Sequence, residues 1–175
     1  MKYFLDTEFI EYPCTIDLIS IGIVREDGQE YYAINKECDW SKANSWVREH
    51  VIDYLPFPQP KVCSVSANER FETWDNSFKS KREIATEIIY FVAMDKTPEF
   101  WGYYADYDWV VFCWLFGTMS CLPPGFPMYC RDIKQLCDSM GNPLLPKMEG
   151  QDHNALEDAK HHKKCYEFLT AHPPR

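Results

Sequence analysis

The pattern of apolar and polar positions changes partway along the chain. Up to about residue 35 it reads as strands: one through about Phe9, a second near Ile16–Arg25, and a third over Glu30–Asn35. Asp27-Gly28, between the last two, is a tight-turn pair. These elements predict a three-stranded antiparallel start. Helical spacing comes next. Ser41 reads as an N-cap ahead of Ala43, Trp46, Val47, Val51 and Tyr54. From Pro56 to about Ser77 there are three prolines and little periodicity, which suggests a mobile or functional loop.

Ser80 and Glu83 form a capping-box pair for a second helix with an Ile84, Ile88, Phe91 and Val92 stripe. Pro98–Tyr103 reads as a short buried strand. Tyr107, Val110, Val111, Trp114 and Leu115 predict a third helix. Gly125–Cys130 suggests another strand, Asp132–Met140 a helix, and Ala155–Leu169 the last helix. The expected architecture is α/β, a mixed five-stranded sheet flanked by helices in a single domain over residues 1–175.

Composition supports a globular domain. The chain has 175 residues, 46% apolar and 16% aromatic, enough for one sizeable core. Asp6 and Glu8 interrupt any apolar leader, and no apolar run approaches the ~18 residues of a membrane span. A cytoplasmic location with no membrane partner is expected. The eight cysteines include no CxxC pair and read as buried thiols. His161 and Cys165 lie one helical turn apart, but no paired ligands stand elsewhere at zinc-site spacing. The net charge of −9 is unlike that of a protein that coats duplex nucleic acid.

Candidate chemistry begins on the first strand. Asp6 and Glu8 are two apart, so both carboxylates project from one face. Adjacent carboxylates repel unless a cation sits between them, although a solvent-facing acidic stripe has the same pattern. Asp108 stands at the start of the third helix, where it or Asp106 could cap that helix or face a site. In His153-Asn154-Ala155-Leu156-Glu157-Asp158, five residues of helix would turn His153 and Asp158 apart. With Asn154 as N-cap and Glu157 as its capping-box partner, His153 falls outside the helix and can converge with Asp158. Four carboxylates suit hard cations such as Mg²⁺ or Mn²⁺, and a histidine beside them suits proton transfer.

In these residues the chain resembles the DEDDh 3′–5′ exonucleases of the RNase T and oligoribonuclease superfamily, over nearly its whole length. The first family motif, Asp-x-Glu, matches Asp6-Thr7-Glu8. The second, an aromatic then Asp at a helix start, matches Tyr107-Asp108. The third, His-x4-Asp, matches His153 to Asp158. A sister group carries Tyr four residues before the last Asp, and Asn154 stands there instead. More narrowly, the chain is similar to compact bacterial and phage exoribonuclease-like domains, through Tyr3–Glu11 and Ser45-Trp46-Val47-Arg48. Many relatives carry a His-Asn pair before the second motif. Tyr103-Tyr104-Ala105-Asp106 occupies that region here, which leaves Asp106 as an alternative ligand.

The resemblance implies an RNase H-like fold and two divalent ions, Mg²⁺ or Mn²⁺, held by Asp6, Glu8, Asp108 and Asp158. It implies His153 as general base and single-stranded RNA 3′ ends as substrate. The alternatives are a 3′–5′ DNA exonuclease and a catalytically inactive domain that binds nucleic acid or protein. Relatives are often homodimers, and a homodimer is expected. Two dications would move the net charge from −9 to about −5. Lys79, Lys81 and Arg82, or Lys160, Lys163 and Lys164, could guide phosphates or be solvated helix faces. Phe9 and Trp46 are candidates to stack terminal bases, or else ordinary core residues.

Overall fold

A computed structural model describes residues 1–57, 76–92, 95–150 and 152–171. The first three strands are β1 (Lys2–Tyr12), β2 (Thr15–Arg25) and β3 (Glu30–Asn35), consecutive and antiparallel as the alternation predicts. Gly28, at φ +91°, closes the β2–β3 turn in the left-handed region that glycine enters without strain. A bulge interrupts the β1–β2 ladder between Glu8 and Phe9, leaving Ile19 of β2 outside the register.

The sheet has six strands, against the five expected, in the order β4-β3-β2-β1-β5-β6. The additional edge strand is β4 (Phe78–Lys79), which pairs parallel to β3. β5 (Glu99–Gly102) pairs parallel to β1, and β6 (Arg131–Asp132) parallel to β5. The strand expected over Gly125–Cys130 is therefore corrected. Gly125 turns that segment at φ +93°, and pairing begins only at Arg131. Two-residue edge strands are too short to carry an alternation.

The helices are α1 (Ser45–His50), α2 (Lys81–Val92), α3 (Asp106–Leu115), α4 (Ile133–Ser139) and α5 (Ala155–Ala171). The helix expected from Ser41 is shorter than its pattern. Asp39 caps a 3-10 turn over Trp40–Lys42, Asn44 caps α1 by accepting from the Val47 N–H, and a second 3-10 turn covers Ile52–Tyr54. Two competing caps within six residues break the segment where spacing alone would run it on. Ser80 and Glu83 do form their capping box: the Glu83 carboxylate accepts from the Ser80 N–H at 2.7 Å, and the Ser80 hydroxyl accepts from the Glu83 N–H at 3.2 Å. Most of the Pro56–Ser77 segment lies outside the described residues.

Helices cover both sheet faces. Tyr3 and Leu5 of β1 point toward α2 and α3, into a core with Ile21, Ile23, Ile84, Phe100 and Phe112. Phe4 points the other way, toward α4 and α5, with Trp101, Ile133, Cys165 and Leu169. A third cluster around Ile10, Ile19, Val47 and Val51 seats α1 on that second side. Each such fully buried side chain contributes about 1.5–3 kcal/mol. No helix among the described residues is long and apolar enough to cross a membrane.

Two features place the functional groups. β5 pairs with β1 only through Phe4, so beyond Phe4 the β5-side edge of β1 has no strand beside it. Gly22 of β2, register partner of Asp6, lies under α5 so closely that an added Cβ would stand 2.2 Å from the Ala155 carbonyl oxygen. Only glycine lets the first turn of α5 sit that low on the sheet.

Candidate active site

Asp6 and Glu8 project from β1 onto the α5 face, as their spacing predicts. Asp158 descends from the first turn of α5. One carboxylate oxygen from each of the three lies within 4.8 Å of the others. The cavity over them, of about 380 Å³, is also lined by Asp108, His153 and Phe9, and by Tyr103, Tyr104 and Tyr107. All five residues picked out for chemistry thus line one cavity, and three form its acidic floor.

Asp108 is bound differently from the other three. Its Oδ1 accepts from the Thr7 backbone N–H at 2.9 Å and from the Thr7 hydroxyl at 2.6 Å. That carboxylate fills the hydrogen-bonding position a continued β5 would have occupied. Asp106 is exposed, and the Ala105 N–H at the start of α3 donates to Asp132 Oδ2 at 2.9 Å. Ala105, not Asp106 or Asp108, occupies the N-cap position of α3.

His153 stands just before α5, outside the helix. Asn154 caps the helix as expected, accepting from the N–H groups of Leu156 at 3.1 Å and Glu157 at 3.2 Å. The reciprocal partner is corrected: Asp158, not Glu157, accepts from the Asn154 N–H at 3.1 Å. Glu157 instead meets Lys160. This bond orients Asp158 toward β1. His153 at φ +63° and Tyr104 at φ +55° both occupy the left-handed region, and both line the cavity. Such backbone conformations cost on the order of 1–3 kcal/mol each and concentrate at functional sites.

The acidic floor is electrostatically strained. Burial pushes the Asp6 carboxyl well above its ordinary range, and the charges of Asp108, Glu8 and Asp158 push it further. Burial, then Asp158 and Asp108, raises Glu8 to about 8. Burial raises Asp108 to about 6, held back by its bonds from Thr7. Asp158 is also raised by burial to about 6, with His153 opposing the rise. Clustered carboxylates that resist ionisation are relieved by a cation, and oxygen-only donors suit Mg²⁺ or Mn²⁺.

Aromatic residues border the site. Trp46 of α1 is half exposed rather than a core residue, and meets His153 edge to face at 4.8 Å. His50, not anticipated from the sequence, stacks on Trp46 at 4.7 Å and packs against His153 at 6.2 Å. Phe9 meets Tyr107 at 5.8 Å. The apolar stripe of α3 is also corrected. Tyr107, Val110 and Trp114 are exposed, while Asp108, Trp109, Val111, Phe112 and Cys113 are buried. His162 of α5 is buried beside the acidic floor, its Nε2 3.9 Å from Asp6 Oδ1. Burial lowers its imidazole to about 4. In the sequence it sits inside the His161-His162-Lys163-Lys164 run and carries no signal of burial.

The lysines of both basic clusters are already paired. Lys79 meets Glu87, Lys81 meets Asp17, and Lys160 meets Glu30 and Glu157. Lys163 meets Glu167 and Lys164 meets Glu149. His161 Nε2 lies 3.4 Å from Cys165 Sγ, and that pair does not appear in the one group of metal-competent side chains among the described residues.

Residues 1–170 match the 3'-5' exoribonuclease Rv2179c-like domain. The chain belongs to this family. It is 38% identical, over 98% of its length and 94% of the relative's, to the 3'-5' exoribonuclease Rv2179c of Mycobacterium tuberculosis strain H37Rv. The counterpart from strain CDC 1551 gives the same figures. Among solved structures, a chain in the structure of the yeast NOT1 MIF4G domain co-crystallized with CAF1 matches over 99% of this chain and 81% of its own length. That likeness has 12% identity and a TM-score of 0.47, too low to bear on fold or function.

Proposed function

We propose that the protein is a metal-dependent 3′–5′ exoribonuclease of the DEDDh type. The observation that carries this reading is the convergence of Asp6, Glu8 and Asp158 beside His153, in a chain belonging to an exoribonuclease family. The order of the sheet, with β1 central between an antiparallel meander and parallel β5 and β6, supports an RNase H-like fold.

Asp6, Glu8 and Asp158 would hold divalent metal, with Asp108 completing a two-ion site from the opposite wall. Bound there, Mg²⁺ or Mn²⁺ would polarise the terminal phosphodiester and neutralise the leaving 3′ oxygen. His153 accepts the proton of the attacking water, and the product is a nucleoside 5′-monophosphate. Trp46 and His50 hold the His153 ring from one side. Phe9, Tyr107 and the half-exposed Trp46 offer faces for the terminal bases.

Stacking suits this chain better than charge. Its net charge is −9 and its clustered lysines are paired with carboxylates. An enzyme that grips only a few terminal nucleotides can draw affinity from aromatic faces. A homodimer belongs to the same reading. The test is competition between RNA and DNA strands of matched sequence, in Mg²⁺, Mn²⁺ or EDTA. Shortening of RNA ahead of DNA, abolished by EDTA, is the expected result. Preferential shortening of DNA would reassign the substrate.

A further inference from the structure

The segment of β1 that presents Asp6 lacks a strand on its β5 side, because β5 pairs no further than Phe4. An open strand edge at the floor of an active site would leave backbone groups unmatched and the strand free to shift. Two side chains close it from opposite faces of the sheet. From α3, Asp108 accepts from the Thr7 N–H at 2.9 Å. From α5, His162 Nδ1 lies 3.0 Å from the Leu5 carbonyl oxygen. Asp6 is the residue between them.

A carbonyl oxygen only accepts, so Nδ1 of His162 carries the proton and donates it. Nε2 lies 3.9 Å from Asp6 Oδ1, beyond hydrogen-bond reach, and His162 does not line the cavity. Its hold on Asp6 therefore runs through the backbone. The ring is buried and stacked against Tyr103 at 6.1 Å, which fixes its direction. Gly102, where β5 ends, keeps the neighbouring space clear: a Cβ there would lie 3.3 Å from the same Leu5 oxygen.

We propose that His162 is a positioning residue of the metal site, holding the Leu5 carbonyl so that Asp6 meets Glu8 and Asp158 in a geometry ready to bind metal. The inference rests on the metal-dependent reading of that site. Losing a support of this kind typically costs about 10–100-fold in metal affinity or activity.

The substitutions that separate this role from simple packing are His162→Asn and His162→Gln. The asparagine amide nitrogen falls near the place of Nδ1 and can donate to Leu5. The glutamine amide falls near the place of Nε2 and cannot. His162→Leu is the parallel variant without a donor. Mn²⁺ affinity is read by electron paramagnetic resonance, the RNA KM and kcat by steady-state cleavage, and the melting temperature in EDTA by calorimetry. His162→Gln and His162→Leu should weaken Mn²⁺ binding about 10–100-fold, with kcat falling and KM little changed. His162→Asn should stay within about threefold of wild type.

A folded His162→Gln or His162→Leu that binds Mn²⁺ as tightly as wild type overturns the positioning role, as does a His162→Asn as weak as the glutamine variant. Wild-type protein that binds no Mn²⁺ would overturn the metal reading, and this inference with it. The two failures are therefore distinct.

Discussion

Gly22 and Ala155 are in contact through the absence of a side chain: a Cβ on Gly22 would lie 2.2 Å from the Ala155 carbonyl oxygen. Gly22 pairs with Asp6, and Ala155 opens the helix that carries Asp158. One missing methyl group thus sets how closely the two carboxylates approach. Gly22→Ala should push α5 off the sheet, costing about 1–3 kcal/mol or more, a fall of several degrees in melting temperature. Mn²⁺ affinity should fall with it. A variant with unchanged melting and unchanged affinity would show that α5 is not seated through this contact.

The raised carboxyls set a pH dependence in metal-free protein. Asp6, Glu8, Asp108 and Asp158 hold their protons more tightly folded than unfolded. Their contribution to stability is therefore complete at low pH and is lost as pH rises through the folded values, from about 6 to about 8. In EDTA the protein should melt lower at pH 8.5 than at pH 5.5, by at least the roughly 2–4 °C that accompanies 1 kcal/mol. Mn²⁺ should reverse the trend, stabilising more at pH 8.5 and releasing protons on binding. A melting temperature in EDTA that climbs steadily from pH 5.5 to 8.5 would contradict this picture of the acidic floor.

His153 lies in the cavity but outside the three-carboxylate group. His153→Ala should lower kcat by about 10²–10⁴-fold and leave Mn²⁺ affinity within a small factor of wild type. Equal loss of both would make His153 a ligand or a structural prop instead of a base.

Trp46 is half exposed and in contact with His153. Trp46→Ala should weaken RNA binding by the ~1–3 kcal/mol of a lost base stack, seen as a raised KM on short oligonucleotides. Trp46→Phe should recover most of it. An unaltered KM in Trp46→Ala would restrict this residue to supporting His153.

The sequence was most legible where one period governs many residues. The β1–β3 meander, the Ser80–Glu83 capping box and the long α5 all arise from spacing and caps. β4 and β6 do not, because two-residue strands owe their existence to the neighbour they pair with. In α3, apolar residues surround the helix, so no stripe told Trp109 and Phe112 from Tyr107 and Trp114. The site divides in the same way. Asp6 and Glu8 share a face by the geometry of a strand, and His153 leaves the helix because Asn154 caps it. The meeting of β1 with α5 depends on Gly22, and the clamps on Leu5 and Thr7 depend on β5 ending early. Those are tertiary facts, and His162 and His50 have no local pattern to announce them.

The decisive experiment tracks a 5′-labelled single-stranded RNA through time with wild-type protein, His153→Ala and Asp158→Ala, each in Mg²⁺, Mn²⁺ or EDTA. A metal-dependent 3′–5′ exoribonuclease should give a ladder that shortens one nucleotide at a time from the 3′ end, present with either metal, abolished by EDTA and absent in both variants. Intact RNA under every metal with folded wild-type protein, or an undiminished ladder from Asp158→Ala, would contradict that assignment.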